Sequence, residues 1–240
     1  MLKAVEGIIV NETNYGETSK IIHIITKEGI IGAIAKGAKG LKSPLRSYTQ
    51  RFTYGNFLLY YKEDKLSILK SVDVINELSN IKKNLILISY LSYLSDLTHQ
   101  IMKQNNDETL YKNYIDGILK IEEGLNPLII CNIFEIKALD YLGVGISFNA
   151  CCKCGSCKEI VTIDPDAGGY ICKKCYASEI IYDEKTLKML RMYYLVDIST
   201  ISDLKISDKV IDNINKFINT YYDRYTGLYL KSKKFLENIQ

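Results

Sequence analysis

Two cysteine pairs carry the most specific chemistry in this sequence. Cys151 and Cys154 are separated by two residues, as are Cys172 and Cys175, and seventeen residues lie between the pairs. This is the C-x2-C-x15–20-C-x2-C spacing of zinc sites, in which each pair turns two thiolates toward one point and four thiolates complete a tetrahedral shell. A shell closed by four protein ligands leaves no position for water or substrate. One structural Zn2+ per chain is therefore expected, its binding free energy forming part of the local folding free energy. Gly155 directly after Cys154 leaves room for a tight backbone turn. Two more thiols, Cys152 and Cys157, lie beside the motif, and Cys154 with Cys157 makes another C-x2-C pair, so a second ligand choice stays open. The seventh cysteine, Cys131, is expected in the core. Redox catalysis is disfavoured, because thioredoxin-type chemistry places its C-x-x-C in a βαβ pattern and the flanks here read as helix and loop.

A second candidate is electrostatic. No acidic residue occurs between Glu28 and Glu63, whereas Lys36, Lys39, Lys42, Arg46, Arg51 and Lys62 are all basic. The first four cations lie in a glycine-bearing connection. Such a segment can follow a phosphate backbone, since each cation that neutralises a phosphate releases condensed counterions. Lys36, Lys39, Lys42, Arg46 and Arg51 are thus the candidate nucleic-acid contacts; the competing reading is a solvated loop. Tyr48, Phe52, Tyr54 and Phe57 are candidates either for stacking on bases or for filling a core. His23 and His99 read as structural, and Asp164 and Asp166 as turn residues around Pro165. With no phosphate loop, nucleophile elbow or metalloprotease helix, no catalytic residue is assigned and the chain is not expected to be an enzyme.

The elements that must position these residues change character along the chain. Up to about Asn76 there are short apolar runs, Ala4–Val10, Lys20–Thr26, Ile30–Ala35, Phe52–Tyr61 and Leu66–Ile75. Turn signals at Asn14-Tyr15-Gly16, Lys27-Glu28-Gly29 and Lys62-Glu63-Asp64 separate them. Five strands with one long connection, Gly37 to about Gln50, suit a small, partly open barrel of the oligonucleotide-binding (OB) type. Beyond Asn80 the apolar period becomes helical, through Leu87, Leu91, Leu94 and Ile101 and again through Leu110, Tyr114, Ile118 and Ile121. Asn126-Pro127 reads as an N-cap with proline at the first helical position, and Gly143 ends that helix shortly before the cysteines. Asp183 is expected to cap a helix through Tyr194, Ser207 one through Tyr225, and the basic stretch from Leu228 to Ile239 is expected to be helical. The expected class is α+β: an OB-type domain over 1–79, then a helical domain over 80–240 carrying a zinc-binding insert at about 150–177.

Of 240 residues, 47% are hydrophobic and 25% charged, the balance of a folded chain, and the net charge is only +3. Distribution of charge therefore says more about partners than its total does. Glu6 and Gly7 interrupt the apolar stretch a signal peptide needs, and no apolar run approaches the roughly 18 residues of a membrane helix. A cytoplasmic protein without membrane association is expected. Reduced thiols there favour metal over disulfides.

In local sequence and in order of modules the chain resembles the RecO family of bacterial DNA repair proteins. The residues that carry the resemblance are Lys36-Gly37-Ala38-Lys39 with Ser43 and Arg46, the helix Phe134 to Gly143, and Cys151, Cys154 and Gly155. To these are added Gly168-Gly169-Tyr170-Ile171-Cys172 and the terminal Lys231-Ser232 to Phe235-Leu236. The resemblance implies an OB fold, a helical domain with a zinc site, and a role in recombinational repair. It further implies binding of single- and double-stranded DNA and annealing of complementary strands. The implied partners are single-strand binding protein and RecR, with which recombinase is loaded onto gaps, on the bacterial nucleoid during repair. The alternative is a zinc-ribbon RNA-binding protein with an OB-fold domain. A zinc-dependent hydrolase would need an open metal position, which four cysteines do not leave.

Overall fold

The computed structural model describes residues 1–239. Five strands, β1 (Leu2–Tyr15), β2 (Ser19–Thr26), β3 (Gly29–Ala35), β4 (Tyr54–Tyr60) and β5 (Ser67–Asn76), form a barrel in the order β1-β2-β3-β5-β4. Neighbours are antiparallel except β3 and β5, which run parallel where Ala33 pairs with Ser67 and Ile34 with Ile68. The barrel is of OB type, but it is closed rather than partly open, because β1 serves two partners. Its first part, Leu2–Ile8, pairs with β4, and from Gly7 to Tyr15 it pairs with β2, with a bulge between Ile9 and Asn11. A bulge bends and twists a strand, which lets one strand turn the corner a barrel requires. The polar half Asn11–Tyr15 carries no apolar alternation, so its strand character is written in backbone pairing alone.

Side chains fill the barrel. Val5, Ile9, Ile22, Ile24, Ile31, Phe57, Leu59 and Leu69 are buried, with Ala33, Ala35 and Ala38 completing the cluster. Along β3 burial alternates strictly, the period of a strand with one face inward. Ala38 belongs to the connection after β3, so the basic segment is pinned to the core at its base. Gly7 and Gly55 stand opposite each other in β1 and β4. A Cβ at Gly7 would lie 2.5 Å from the Ile25 carbonyl oxygen, and one at Gly55 would lie 2.4 Å from that of Asp73.

The helices α2 (Ser79–Lys82), α3 (Leu85–Met102) and α4 (Glu108–Glu122) follow. Asn84 caps α3 by accepting from the Ile86 and Leu87 N–H groups. Leu78, at the start of α2, offers no side-chain cap; the Glu122 carboxylate does so instead, accepting from the Asn80 and Ile81 N–H groups at 2.9 Å each. Tyr114 and Ser95 share a buried hydrogen bond of 2.7 Å that joins α4 to α3. Glu6 on β1 accepts from both Tyr54 of β4, at 2.7 Å, and Tyr111 of α4, at 3.2 Å. Burial, reinforced by that carboxylate, pushes both phenols above the usual tyrosine range.

Strand gives way to helix between Asn76 and Ser79, but compactness draws a different line. One unit comprises Met1–Glu122 together with the C-terminal helix α8 (Lys231–Ile239) from Ser232 on; the other is Glu123–Lys231. Within the first, Lys233 of α8 lies over the Tyr93 ring of α3 at 5.3 Å. The second unit contains α5 (Pro127–Tyr141), the hairpin β6 (Ile160–Asp164) and β7 (Gly169–Cys172), α6 (Glu184–Leu195) and α7 (Asp208–Tyr225). α5 is its centre, buried from Ile129 to Leu139 apart from Lys137, with the Tyr222 hydroxyl of α7 donating to the Glu135 carbonyl at 2.9 Å. Asn126 and Asp183 cap α5 and α6 as expected. Ser207 precedes α7 without a side-chain cap bond. Among the described residues no helix is long and apolar enough to cross a membrane.

The close approach at Gly55 gives a direct test. Gly55→Ala should destabilise the protein by about 1–3 kcal/mol through overpacking, read as a lower urea midpoint by far-UV circular dichroism. An unchanged midpoint would show that β4 and β5 can separate without cost.

Candidate metal centre and nucleic-acid interface

The cysteines come together because the chain after α5 pairs with β7. Just past α5 comes Gly143, whose φ of +74° turns the backbone away from the helix. Ser147 then bridges Gly169, with Ser147 N–H donating to the Gly168 carbonyl at 2.9 Å and Tyr170 N–H to the Ser147 carbonyl at 3.1 Å. Only glycine fits at 169, where a Cβ would meet the Ser147 carbonyl oxygen at 2.6 Å. One step further, Cys152 N–H donates to the Tyr170 carbonyl at 2.8 Å, which sets Cys151 beside Cys172 at the end of β7. Each pair then closes on itself. Gly155 N–H donates to the Cys151 carbonyl at 2.8 Å, with Gly155 at φ +75°, and the Cys175 and Tyr176 N–H groups donate to the Cys172 carbonyl at 3.0 Å.

The sulfur atoms of Cys151, Cys154, Cys172 and Cys175 all lie within 4.8 Å of one another, with Cys154 and Cys172 3.6 Å apart. Zinc–sulfur bonds of about 2.3 Å in a tetrahedron place sulfurs about 3.8 Å apart. The four thiols thus fit a tetrahedral, sulfur-preferring ion. Of the two ligand choices open in the sequence, the structure brings together the set containing Cys151; Cys152 and Cys157 lie outside the group. Burial of Cys151 opposes its ionisation, but the backbone N–H groups of Cys172, Cys154 and Lys153 outweigh it and bring the thiol down to about 6. Cys175 is pushed up to about 12, first by its hydrogen bond with Cys154 and then by burial. A cation that binds all four sulfurs as thiolates must displace the protons they carry. Lys153 and Glu179 form an ion pair of 2.6 Å across the insert, and that hydrogen bond draws the Glu179 carboxyl down to about 2.

The basic connection leaves the barrel after β3, and includes the short helix α1 (Leu45–Tyr48). Its base is fixed by buried Ala38 and by Lys39, whose N–H donates to the Thr18 carbonyl at 2.8 Å and whose ammonium reaches the Gly16 carbonyl at 3.3 Å. Lys36, Lys42 and Arg46 are exposed, and among the described residues none of them pairs with a carboxylate. Arg51 differs. Its Nε donates to the Val10 carbonyl at 2.8 Å, its guanidinium lies 4.5 Å over the Phe52 ring, and it stands 3.8 Å from Asp96 of α3. The aromatics divide the other way from a stacking surface: Phe52, Tyr54 and Phe57 are buried, so three of the four stacking candidates fill the core, and only Tyr48, at 41%, is exposed. His23 and His99 both read as structural in the sequence. The fold brings both to one cleft with Asn11, Arg51, Asp96 and Lys103, and no spacing in the chain signals it.

A closed OB-type barrel, followed by helices and a four-cysteine cluster that can hold a metal ion, defines a class of multidomain OB-fold proteins. The comparisons narrow it. The family profile described as Recombination protein O N terminal matches residues 1–78, and that described as Recombination protein O C terminal matches residues 82–234. Relatives include DNA repair protein RecO of Listeria monocytogenes serotype 4b, 32% identical over 239 positions and covering 98% of this chain and 93% of the relative. RecO of Bacillus subtilis is 31% identical over 245 positions, covering 100% and 96%, and that of Bacillus cytotoxicus is 32% identical over 245, covering 100% and 98%. The chain belongs to the RecO family, and with it to DNA repair and recombination.

The metal centre yields a test that separates its two ligand choices. Cys151→Ser should lose the bound metal and loosen the 123–231 unit, whereas Cys157→Ser should keep about one ion per chain, both measured by elemental analysis. Metal retained by the first variant, or lost by the second, would reverse the assignment.

Proposed function

We propose that this chain is a non-enzymatic recombination mediator. It binds single- and double-stranded DNA through the connection after β3, anneals complementary strands and, with RecR, helps load recombinase onto gaps coated by single-strand binding protein. It works in the bacterial cytosol, on the nucleoid during repair. Lys36, Lys39, Lys42 and Arg46 are the proposed phosphate contacts, with Arg51 the least available of the candidates because it is already engaged. One Zn2+ on Cys151, Cys154, Cys172 and Cys175 supports folding and takes no part in the reaction. The observation that carries this reading is a set of cations without acidic partners, on a connection anchored to an OB barrel, in a chain matched along nearly its whole length by repair proteins. Cations that already lack a carboxylate partner meet a phosphate without first breaking an ion pair, and the counterions they release from DNA drive association.

Replacing Lys36, Lys39, Lys42 and Arg46 together by Ala should lower the salt slope for single strands by up to about 3, each phosphate contact counting for about 0.7. The loss should be alike for every sequence, because phosphate contacts do not read bases. Fluorescence anisotropy on a folded, metal-loaded variant decides it; an unchanged affinity and slope would remove the contact from this connection. In the unsubstituted protein annealing of complementary oligonucleotides should proceed without turnover of ATP. Comparable affinity for structured RNA, with no annealing of DNA, would favour the RNA-binding alternative.

A further inference from the structure

The chain has two histidines, at positions 23 and 99, and both line one cleft of about 730 Å³ within the Met1–Glu122 unit. His23 comes from β2 and His99 from α3. Asn11 of β1, Arg51 of the connection before β4, and Asp96 and Lys103 of α3 complete its polar lining, while Val10 and Ile30 supply apolar wall. The volume lies in the range of pre-formed ligand sites, which combine apolar wall with a few convergent polar groups.

The charge in this cleft is unbalanced. Its titratable groups are Arg51, Lys103, His23 and His99 against a single carboxylate, Asp96, and that carboxylate already faces Arg51 at 3.8 Å. Lys103 is exposed and, among the described residues, pairs with no carboxylate. The Nδ1 atom of His23 is buried and has no hydrogen-bond partner among the described residues. His99 titrates below the usual histidine range, first because it is buried and then because Lys103 and His23 face it; Asp96 opposes them. An anion in the cleft would offset the excess positive charge of Arg51, Lys103 and the imidazoles. Arg and Lys bind phosphate directly, and both nitrogens of a protonated imidazole are donors.

We infer that this cleft is a phosphate-binding subsite whose affinity rises as His23 and His99 become protonated. The ligand is a phosphate group, carried either by a free nucleotide or by a nucleic-acid backbone; only the second source rests on the DNA-binding reading above. The linkage has a definite sign. An anion favours the charged imidazole, so bound phosphate must raise the histidine midpoints, and binding must tighten as pH falls through them. A rise of one unit in one midpoint corresponds to about tenfold tighter binding at the acid end.

Two histidines give two imidazole Cε1–H resonances, so the experiment needs no variant: their pH titration by NMR in the full, metal-loaded chain. It is run with sodium chloride, inorganic phosphate, thymidine monophosphate and an oligothymidylate at matched ionic strength. Higher midpoints for both histidines with phosphate or thymidine monophosphate, but not with chloride, support the subsite with a free-nucleotide source. Higher midpoints with the oligonucleotide alone support it with a backbone source. No ligand-specific shift, or the same shift with chloride, overturns it. Lys103→Ala supplies a check of opposite signs, since it should raise the His99 midpoint of the free protein while weakening phosphate binding. A variant in which neither changes also overturns the proposal. Failure of the two readings is distinguishable. The four-alanine variant of the basic connection should keep the phosphate-induced midpoint shifts, whether or not it still binds DNA.

Discussion

The bulge in β1 between Ile9 and Asn11 is the constraint on which the barrel and its surroundings depend. One strand has to pair with β4 along its first half and with β2 along its second, and the extra residue makes the turn between them. It also takes backbone groups out of the ladder, and the chain entering β4 takes them up. Phe52 N–H donates to the Ile9 carbonyl at 2.7 Å and Ile9 N–H to the Thr53 carbonyl at 3.0 Å, while the Val10 carbonyl accepts from Arg51. Phe52 is held at φ +67° to make this fit, a conformation that costs a non-glycine residue about 1–2 kcal/mol. The surrounding bonds and the burial of its ring offset that cost. The end of the basic connection, the placement of Arg51 and one wall of the histidine cleft thus share one backbone irregularity.

The four-cysteine insert is governed by a different balance. From Cys151 to Cys175 the chain holds a four-residue and a five-residue strand, and its buried side chains are few: Cys151, Thr162, Ile163, Tyr170, Ile171 and Cys172. Backbone bonds to Ser147 and Tyr170 set the register, and the Tyr170 hydroxyl ties β7 to the Leu187 carbonyl of α6 at 2.9 Å. Such a segment has little apolar area with which to offset the entropy of ordering it. Four sulfurs meeting at one point make metal binding a direct contribution to its folding.

What could be read in the sequence was what local chemistry writes there. Short apolar runs bounded by turn signals located β2 to β5 within a few positions, and Asn126 and Asp183 announced their helices because an N-cap is a one-residue device. The C-x2-C spacing with Gly155 marked the cluster, since two thiolates and a left-handed turn need little beyond adjacent residues. What escaped depends on distant partners. Asn11–Tyr15 are strand because β2 lies beside them, and Phe52, Tyr54 and Phe57 face inward because the barrel closes. His23 and His99 meet only after α3 packs within the first unit. The same packing explains why change of period and compactness divide the chain at different places: α3 and α4 are helical in sequence, yet Asp96 ties α3 to Arg51 of the connection before β4 and Tyr111 ties α4 to Glu6 of β1.

A net charge of +3 hides how the cations of this unit are sorted. Lys3 is paired with Glu28, Lys20 with Glu12 at 2.5 Å, Lys27 with Glu108 at 3.7 Å and Arg51 with Asp96. Pairs at or near the surface, screened by solvent, do little for stability. Their larger effect is on the field, because a cation beside a carboxylate is nearly neutral when viewed from a Debye length of about 8–10 Å. The acid-free stretch after Glu28 removes the partners from one connection, and there Lys36, Lys42 and Arg46 keep their full charge. A surface field is thus produced by withholding acids as much as by placing bases. It is anchored by buried Ala38 and by the Lys39 backbone, which fixes where that charge stands without neutralising it.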